Sequence, residues 1–183
     1  IGSGYGGGSS NAISTIKGIS KILKEDIKTS DFLIIASRIG SDCAFFIKEK
    51  PAIVTGSGNK VDILDHSIIK KLKGLEIILF KPNFSISTKN AYQSKEIEFE
   101  NKEHAKNRIS RFKDDAIHKN LFNSFESFAA NKYISINLIL EKLRKNYIPS
   151  LISGSGSGCF SLIPYENKII NERFIIKTVK DLY

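Results

Sequence analysis

The glycine-rich run GSGYGGGSSN at residues 2–11 holds five of the thirteen glycines in the chain and is the strongest structural signal in the sequence. Ser9, Ser10 and Asn11 are residue types that cap helices, and apolar residues then recur at helical spacing over residues 13–23. We therefore predict a helix of roughly 14 residues that begins where the glycines stop. Glycines let backbone N–H groups converge on an anion, and the helix points the positive end of its dipole at the same place. The run predicts a phosphate-binding loop, against the alternative of a flexible linker.

Two other kinds of phosphate loop can be compared with this run. A Walker A loop has a lysine after its last glycine, and Ser9 follows Gly8 here, which excludes that loop. A dinucleotide-binding fingerprint has the spacing GxGxxG, which occurs at Gly2, Gly4 and Gly7. Its ribose-binding acid would be Glu25 or Asp26, but these residues end a predicted helix rather than a strand. The dinucleotide interpretation is therefore the weaker one, and it stays open at this point.

Composition restricts the class of protein. The 183 residues are enough for one domain or two small ones, and 41% of them are hydrophobic, which is typical of a globular protein. The net charge is +9, but the basic residues are spread along the chain, so we predict no nucleic-acid partner. No apolar run approaches the ~18 residues of a membrane span, so we predict no membrane partner. The two cysteines, Cys43 and Cys159, do not form a CxxC pair, which predicts a reducing, cytoplasmic compartment and no zinc site.

The remaining pattern mixes strands and helices without strict alternation, which predicts an α+β fold with a mainly antiparallel sheet. A short helix is predicted around the apolar residues 32–36, after the cap signal Thr29-Ser30-Asp31 and ending near Gly40. The other predicted helices cover a short segment capped by Ser87-Thr88, residues 114–133 and residues 135–147. The predicted strands cover residues 45–47, 52–54, 75–80, 151–152, 159–163 and 174–179. A second glycine run, SGSGSG at residues 153–158, joins two of these strands in a turn.

Four segments, in order along the chain, resemble the GHMP kinases, a family of small-molecule kinases. The first, GYGGGSSNA at residues 4–12, is similar to a phosphate loop of that family that reads GLGGGSSNA, with Tyr5 in place of the leucine. The others are GSDCAFF at residues 40–46, KPNFSIST at 81–88 and SGSGSGCF at 153–160. GSDCAFF is similar to the family's GADVPFF segment. KPNFSIST is similar to a family stretch that ends in serine or proline followed by threonine, and SGSGSGCF is similar to the family's third glycine loop. The four matches together cover essentially the whole chain.

The resemblance implies a role for each matched residue. Asp42 matches the catalytic aspartate of the family, a base for the acceptor hydroxyl, and Ser10 is expected near a Mg²⁺ ion. The residues expected to bind the nucleotide phosphates are Gly4, Gly6, Gly7, Gly8, Ser9, Ser10 and Asn11. The residues expected to bind the substrate are Thr88, Tyr92, Gly154, Ser155 and Gly156. The ring of Tyr92 can stack on a pyrimidine.

The resemblance also implies a fold, cofactors and partners. Residues 1–65 are expected to be the remainder of an N-terminal ATP-binding domain like the second domain of ribosomal protein S5. Residues 66–183 are expected to form a ferredoxin-like C-terminal domain. ATP and Mg²⁺ are the expected cofactors. The GGGSSN form of the loop is typical of the branch that phosphorylates the 2-hydroxyl of a cytidine diphosphate-linked methylerythritol in non-mevalonate isoprenoid synthesis, and we expect that reaction, in a monomer or homodimer.

One expectation and two alternatives accompany this interpretation. Members of the family begin with a strand that carries Lys-x-Asn and lies ahead of the phosphate loop. This chain contains no methionine, and its first residue, Ile1, directly precedes the glycine run. We therefore expect that residues upstream are missing and that the chain by itself is inactive. The alternatives are a non-catalytic or fragmentary nucleotide-binding protein and a GHMP kinase of different acceptor specificity.

Overall fold

The computed structural model describes residues 2–73, 75–97, 99–114, 120–145, 149–163 and 176–178. Contacts divide the chain into two compact units, Gly6–Lys70 on the one hand and Ile1–Tyr5 with Lys71–Tyr183 on the other. The sequence predicts the division slightly earlier, after residue 65, and places residues 1–5 in the first unit. In the structure those five residues group with the second unit. The assignment of the two units to the two GHMP kinase domains stays a prediction.

The Gly6–Lys70 unit is built around three helices. These are α1 (Gly7–Leu23), α2 (Thr29–Ile39) and α3 (Cys43–Lys48), followed by the antiparallel hairpin β1 (Ala52–Thr55) and β2 (Lys60–Ile63) and by α4 (His66–Leu72), which ends just past the unit. Ile13 from α1, Phe32 and Ala36 from α2, and Cys43 from α3 form the buried core. Each helix therefore buries one apolar face against the others, which is the main source of stability for amphipathic helices in proteins.

The second unit contains a four-stranded antiparallel sheet. The strand order is β4 (Ser150–Ile152), β5 (Cys159–Ile163), β3 (Glu76–Phe80) and β6 (Ile176–Thr178). Ile78 in the middle of β3 pairs with Ser161 of β5 on one side and with Ile176 of β6 on the other. The helices of the unit are α5 (Thr88–Tyr92), α6 (Lys102–Asp114), α7 (Glu126–Lys132) and α8 (Ile134–Lys145). The predicted α+β class with an antiparallel sheet is confirmed.

Helices α7 and α8 contribute buried apolar residues to the core beside this sheet. Phe128 and Ala129 of α7 and Ile136 and Leu140 of α8 are buried in one cluster with residues of β4 and β5. The strand contributions to the cluster are Ile152 and Cys159. Because β4 and β5 flank the second glycine run, this core holds both ends of that run in place.

One predicted strand is wrong. Residues 45–47 lie inside helix α3 rather than in a strand. Cys43 and Phe46, three positions apart, both join the core made by α1 and α2, so the apolar residues of this segment follow a helical period. A short apolar run does not by itself distinguish the two structures.

Two helix boundaries also differ from the prediction. Helix α1 begins at Gly7, with Gly6 as its N-cap, rather than after a cap at residues 9–11. In the predicted helix 114–133, helix α7 begins only at Glu126, and residues 121–123 are not helical. The side-chain oxygen of Asn123 accepts a hydrogen bond from the Phe125 amide at 2.9 Å, a local bond that competes with the helical pattern. Residues 115–119 lie outside the described residues.

Most other predicted elements are present. Strands β1, β3, β4 and β5 and helices α2, α5 and α8 lie where they are predicted, although residues 146–148 at the end of the predicted helix 135–147 lie outside the described part. Within the predicted strand 174–179, the structure describes residues 176–178, which form β6. Helices α4 and α6 and strand β2 are elements that the sequence analysis does not predict.

None of the helices in the described ranges is long and apolar enough to cross a membrane.

Substitutions on the two faces of β3 test this sheet. Ile78 is fully buried, whereas its neighbour Leu79 is 43% exposed on the opposite face. We expect Ile78→Ala to lower the free energy of unfolding by about 2–5 kcal/mol, because it removes buried methyl groups and leaves a cavity. Leu79→Ala is the matched control and should cost less than half as much. Urea denaturation followed by circular dichroism measures both, and equal losses would contradict the assigned faces.

Candidate active site

The N-terminus of α1 is shaped by Gly6. This residue is the N-cap and has φ 69° and ψ 13°, in the left-handed region that favours glycine. A Cβ at Gly6 would come within 2.8 Å of the Phe46 ring of α3. The residue must therefore be glycine both for its backbone conformation and for the contact between α1 and α3.

The first turn of α1 presents backbone donors to open space. The first amides of any helix, here those of Gly7, Gly8 and Ser9, have no acceptor within the helix. The first intrahelical bond runs from the Ser10 amide to the Gly6 carbonyl at 2.9 Å. A Cβ placed at Gly7 or Gly8 would meet no atom within 4 Å, so an anion can approach the backbone closely at both positions. The helix dipole favours negative charge at the same place.

The structure distributes the predicted phosphate-binding residues unevenly. Gly6, Gly7, Gly8, Ser9, Ser10 and Asn11 lie together at the start of α1 in the Gly6–Lys70 unit. Gly4 belongs to the other unit, where a Cβ would overlap the Ser153 carbonyl group. Glycine at position 4 is thus explained by a contact within its own unit. The Ser10 amide, which the prediction counts among the phosphate donors, is already bonded within α1.

The residues present fit a magnesium ion that arrives with a nucleotide. Such an ion takes most of its ligands from phosphate oxygens and water, so it needs only one or two protein oxygens. The half-buried Ser10 at the start of α1 carries one hydroxyl oxygen of this kind. Within the ranges that the structure describes, no group of three or more His, Cys, Asp or Glu side chains could hold a metal on its own.

Asp42 lies at the start of α3, in the same unit as the first turn of α1. It is the N-cap residue, but its side chain makes no capping hydrogen bond and is exposed. Its Oδ1 accepts a long hydrogen bond from the Ser41 hydroxyl at 3.3 Å. The carboxylate therefore lies at the start of a helix, exposed to solvent, where it can accept a proton from a bound substrate.

The β1–β2 turn packs against the backbone just before Asp42. Gly58 has φ 90°, and a Cβ there would overlap the Ser41 carbonyl. A cavity of about 210 Å³ lies beside this contact, lined by Ser41, Ala44 and residues of α2 and of the turn. The sequence analysis does not identify this turn, because nothing in its composition links it to a segment some fifteen residues earlier.

The second unit brings two predicted substrate residues together. The hydroxyl groups of Thr88 and Ser155 lie 2.9 Å apart, although 67 positions separate them in the sequence. Gly154 and Gly156 have φ 54° and 88°, which allow the tight turn. A Cβ at Gly156 would lie 2.6 Å from the Ile152 side chain. The second glycine run is thus a compact turn whose Ser155 contacts the start of α5.

Residues 2–5 line this turn. The Gly158 amide donates to the Ser3 carbonyl at 2.9 Å, and the Ser153 hydroxyl donates to the Gly4 carbonyl at 3.0 Å. The hydroxyl of Ser157 is bonded to the Phe84 carbonyl on another side of the turn. The first half of one glycine run therefore supports the other glycine run.

Tyr5 explains a departure from the family pattern. Its hydroxyl donates to the carbonyl oxygens of Phe80 at 2.6 Å and Cys159 at 2.8 Å, which are paired residues at the ends of β3 and β5. Burial raises the pKa of the Tyr5 hydroxyl to about 12. Burial likewise raises the pKa of the Cys159 thiol to about 11, and the Glu126 carboxylate adds to the rise. A leucine could fill the space but could not donate to these carbonyls.

Tyr92 lies in an exposed aromatic cluster. The centroid of its ring lies 4.8 Å from that of Phe125 in a T-shaped contact. It lies 6.1 Å from that of Phe99 in a stacked contact. Tyr92 and Phe99 are each 59% exposed. Tyr92 is also four positions after Thr88, so the two lie on one face of α5. The ring is therefore accessible to a flat ligand, as the predicted stacking on a pyrimidine requires.

Asn123 is a candidate that the sequence analysis misses. Its side-chain amide donates to the carbonyl oxygens of Ile152 and Gly154, each at 2.8 Å. It thereby contacts the strand end and the turn that carries Ser155. An asparagine close before a helix is a weak signal for such a role, and here it falls inside a predicted helix.

The chain is similar to a known family and to several known proteins. Residues 1–50 match the family described as GHMP kinases N terminal domain. The chain is 33% identical over 174 residues to the 4-diphosphocytidyl-2-C-methyl-D-erythritol kinase of Bacteroides fragilis (strain YCH46), covering 94% of this chain and 61% of that protein. It is 29% identical over 194 residues to the enzyme of the same name from Clostridium acetobutylicum, covering 98% and 68%.

A solved structure shares the fold. The crystal structure of a 4-(cytidine 5'-diphospho)-2C-methyl-D-erythritol kinase matches with a TM-score of 0.67 at 21% sequence identity, covering 88% of this chain and 57% of that chain. The chain thus spans about three fifths of the length of the first relatives that it matches, as the 61% coverage of the Bacteroides enzyme illustrates.

The Tyr5 hydroxyl gives a prediction about stability and pH. Tyr5→Phe should lower the free energy of unfolding by about 0.5–1.5 kcal/mol at neutral pH, because two carbonyl groups lose their donor. The folded pKa of about 12 lies above the ordinary 10.0, so this stabilisation is complete below pH 10 and is lost as the pH rises toward 12. The difference in stability between wild type and variant should therefore shrink over that range.

Urea unfolding of both proteins at several pH values measures this difference. The raised pKa of Cys159 also makes the folded state less stable at alkaline pH. This effect occurs in both proteins, so it largely cancels in the difference between their stabilities. A difference that stays constant or grows from pH 9 to 12 would contradict the assigned hydrogen bonds.

Proposed function

This chain belongs to the GHMP kinases, and we propose that the intact protein transfers the γ-phosphate of ATP to the 2-hydroxyl of 4-diphosphocytidyl-2-C-methyl-D-erythritol, a step of the non-mevalonate isoprenoid pathway. The observation that carries the proposal is the N-terminus of α1, where Gly7 and Gly8 leave the backbone open to an anion. The exposed carboxylate of Asp42 lies in the same compact unit. The names of the similar proteins support the choice of acceptor.

Binding of the phosphates is assigned to the first turn of α1. The amides of Gly7, Gly8 and Ser9 donate to phosphate oxygens, and the helix dipole adds to the attraction. The Ser10 hydroxyl is one protein ligand for Mg²⁺, which when bound neutralises the negative charge on the phosphates. Phosphoryl transfer depends chiefly on positioning and charge neutralisation, which is what a rigid helix end provides.

Asp42 acts as the base in this proposal. The 2-hydroxyl oxygen of the acceptor forms a bond to the γ-phosphorus, ADP leaves, and the hydroxyl proton passes to the Asp42 carboxylate. The N-cap position fixes the backbone of Asp42, while its side chain is exposed and makes no capping bond. A carboxylate with free lone pairs can accept that proton without breaking a structural hydrogen bond.

Recognition of the acceptor is assigned to the second unit. Tyr92 offers an exposed ring for the cytosine, and Phe125 supports that ring by its edge contact. Thr88 and Ser155 offer two hydroxyl groups that already contact each other. Gly154 and Gly156 give the turn the backbone conformation that places Ser155 beside Thr88.

The two alternatives differ from the proposal in what they predict. A non-catalytic nucleotide-binding protein would bind ATP at α1 without forming ADP. A GHMP kinase of different acceptor specificity would form ADP with another alcohol. Since the chain spans about three fifths of its first relatives, the activity, the cytoplasmic location and the monomeric or dimeric state are proposed for the intact protein.

Replacement of Asp42 tests the proposal. With ATP, Mg²⁺ and 4-diphosphocytidyl-2-C-methyl-D-erythritol, the intact protein should form ADP, and Asp42→Asn should lower kcat by about 10²–10⁴-fold, the usual contribution of a general base. The melting temperature should stay the same, because Asp42 is exposed and makes no capping bond. Asp62→Asn, at an exposed position on β2, is the matched control and should keep full activity.

Each outcome of this assay is informative. Absence of acceptor-dependent ADP formation by the wild type would reject the proposed reaction. Equal kcat values for Asp42→Asn and Asp62→Asn would reject the role of Asp42 as the base.

A pair of glycine substitutions separates nucleotide binding from stability. Gly8 and Gly18 both lie in α1, and a Cβ at either position meets no atom within 4 Å. Alanine at Gly18 should stabilise the fold by about 0.5–1 kcal/mol through helix propensity, without changing ATP binding. Alanine at Gly8 should also be tolerated by the fold, but its methyl group occupies the approach of the phosphates. We expect its Kd for ATP to rise by about tenfold or more.

Isothermal titration calorimetry with ATP and Mg²⁺ measures the affinities, and urea denaturation measures the stabilities. If Gly8→Ala binds ATP as tightly as Gly18→Ala does, the phosphates are not bound at the first turn of α1.

A further inference from the structure

We infer that Asn123 is a positioning residue for the acceptor, because it orients the turn that carries Ser155 and supports the aromatic cluster that contains Tyr92. This inference rests on the proposed function. It concerns a residue outside the four segments that resemble the family, and it follows from hydrogen bonds between positions about thirty residues apart.

Every polar atom of the Asn123 side chain has a hydrogen-bond partner. Both of its N–H groups are used, one on the Ile152 carbonyl and one on the Gly154 carbonyl, each at 2.8 Å. Its oxygen accepts from the Phe125 amide at 2.9 Å. An asparagine with every partner on the backbone is held in one orientation, and it transmits that orientation to each segment that it contacts.

Asn123 also sets the direction of the Ser155 amide. The carbonyl of Gly154 and the amide of Ser155 belong to one planar trans peptide, so they point in opposite directions. By holding the Gly154 carbonyl, Asn123 turns the Ser155 N–H away from itself. Among the residues that the structure describes, none accepts a hydrogen bond from that N–H. Asn123 thus orients this amide, in a residue that is only 8% exposed, beside the Ser155 hydroxyl that contacts Thr88.

Asn123 also supports the aromatic cluster of Tyr92, Phe99 and Phe125. Because the Asn123 oxygen binds the Phe125 amide, it fixes the backbone from which the Phe125 ring extends. The centroid of the Phe125 ring lies 4.8 Å from that of Tyr92 and 6.1 Å from that of Phe99, and both contacts are T-shaped. One side chain therefore sets the positions of the turn and of the ring that supports Tyr92, the two features assigned to the acceptor.

The experiment replaces Asn123 with aspartate in the intact protein. Asn123→Asp preserves the size of the side chain and the oxygen that accepts from Phe125, but it removes both donors and places a carboxylate against two carbonyl oxygens. We expect the KM for 4-diphosphocytidyl-2-C-methyl-D-erythritol to rise about tenfold or more, with the KM for ATP and kcat within about threefold of the wild type. A purely structural role would lower kcat through loss of active protein and leave both KM values unchanged.

Hydrogen exchange provides a readout that requires no substrate. The amides of Ser153 and Gly156 are bonded within the turn, at 2.8 and 2.9 Å to the carbonyls of Gly158 and Ser153. Exchange at residues 153–158 should become about tenfold faster in Asn123→Asp, while exchange in α1 stays the same. Asn137→Asp on α8 is the matched control with the same change of charge, and it should alter neither exchange in the turn nor the KM for the acceptor.

The outcomes separate this inference from the proposed function. An inactive wild type rejects the proposed reaction, and the exchange rates then decide whether Asn123 positions the turn. Unchanged exchange at residues 153–158, or faster exchange with an unchanged KM for the acceptor, overturns the inference. If Asn123→Asp does not fold, Asn123→Ser serves instead. Its short uncharged side chain cannot reach both carbonyls, and the same changes should appear in smaller degree.

Discussion

The contact between Gly6 and Phe46 is the constraint on which the arrangement of the Gly6–Lys70 unit depends. A side chain at Gly6 would meet the Phe46 ring, and only glycine adopts its left-handed backbone without cost. This contact brings the start of α1 against α3, whose N-cap is Asp42. The same lack of side chains at Gly7 and Gly8 leaves the first-turn amides open. The positions of the phosphate donors and of the carboxylate are therefore set by the same few residues.

The second unit depends on a different kind of constraint, the support of a glycine-rich turn from outside. A turn with Gly154 and Gly156 has little intrinsic preference for one conformation, because glycine loses more backbone entropy on folding than any other residue. Its order comes from neighbours: the backbone of Ser3 and Gly4, the carbonyl of Phe84 and the side chain of Asn123. Tyr5 then ties residues 2–5 to the ends of β3 and β5.

The sequence predicts the parts of this account that are encoded locally. The glycine run before an apolar helix, the strands around the second run and the cap at Ser87 all appear as predicted, because spacing and turn residues specify them. Contacts between distant segments could not be predicted. Examples are the helical conformation at Phe46, which packs against the core that α1 and α2 form, and the contact of Thr88 with Ser155. The contacts of Asn123 could not be predicted, because apolar residues at helical spacing continue on both sides of it.

The central claim is that nucleotide phosphates bind to the first turn of α1. It is tested most directly by following the backbone amide resonances of ¹⁵N-labelled intact protein while ATP and Mg²⁺ are added. The amides of Gly7, Gly8 and Ser9 should show large, saturable shifts, whereas the amide of Gly18 in the same helix should not shift. Saturable binding that shifts other amides and leaves these three unchanged would contradict the account.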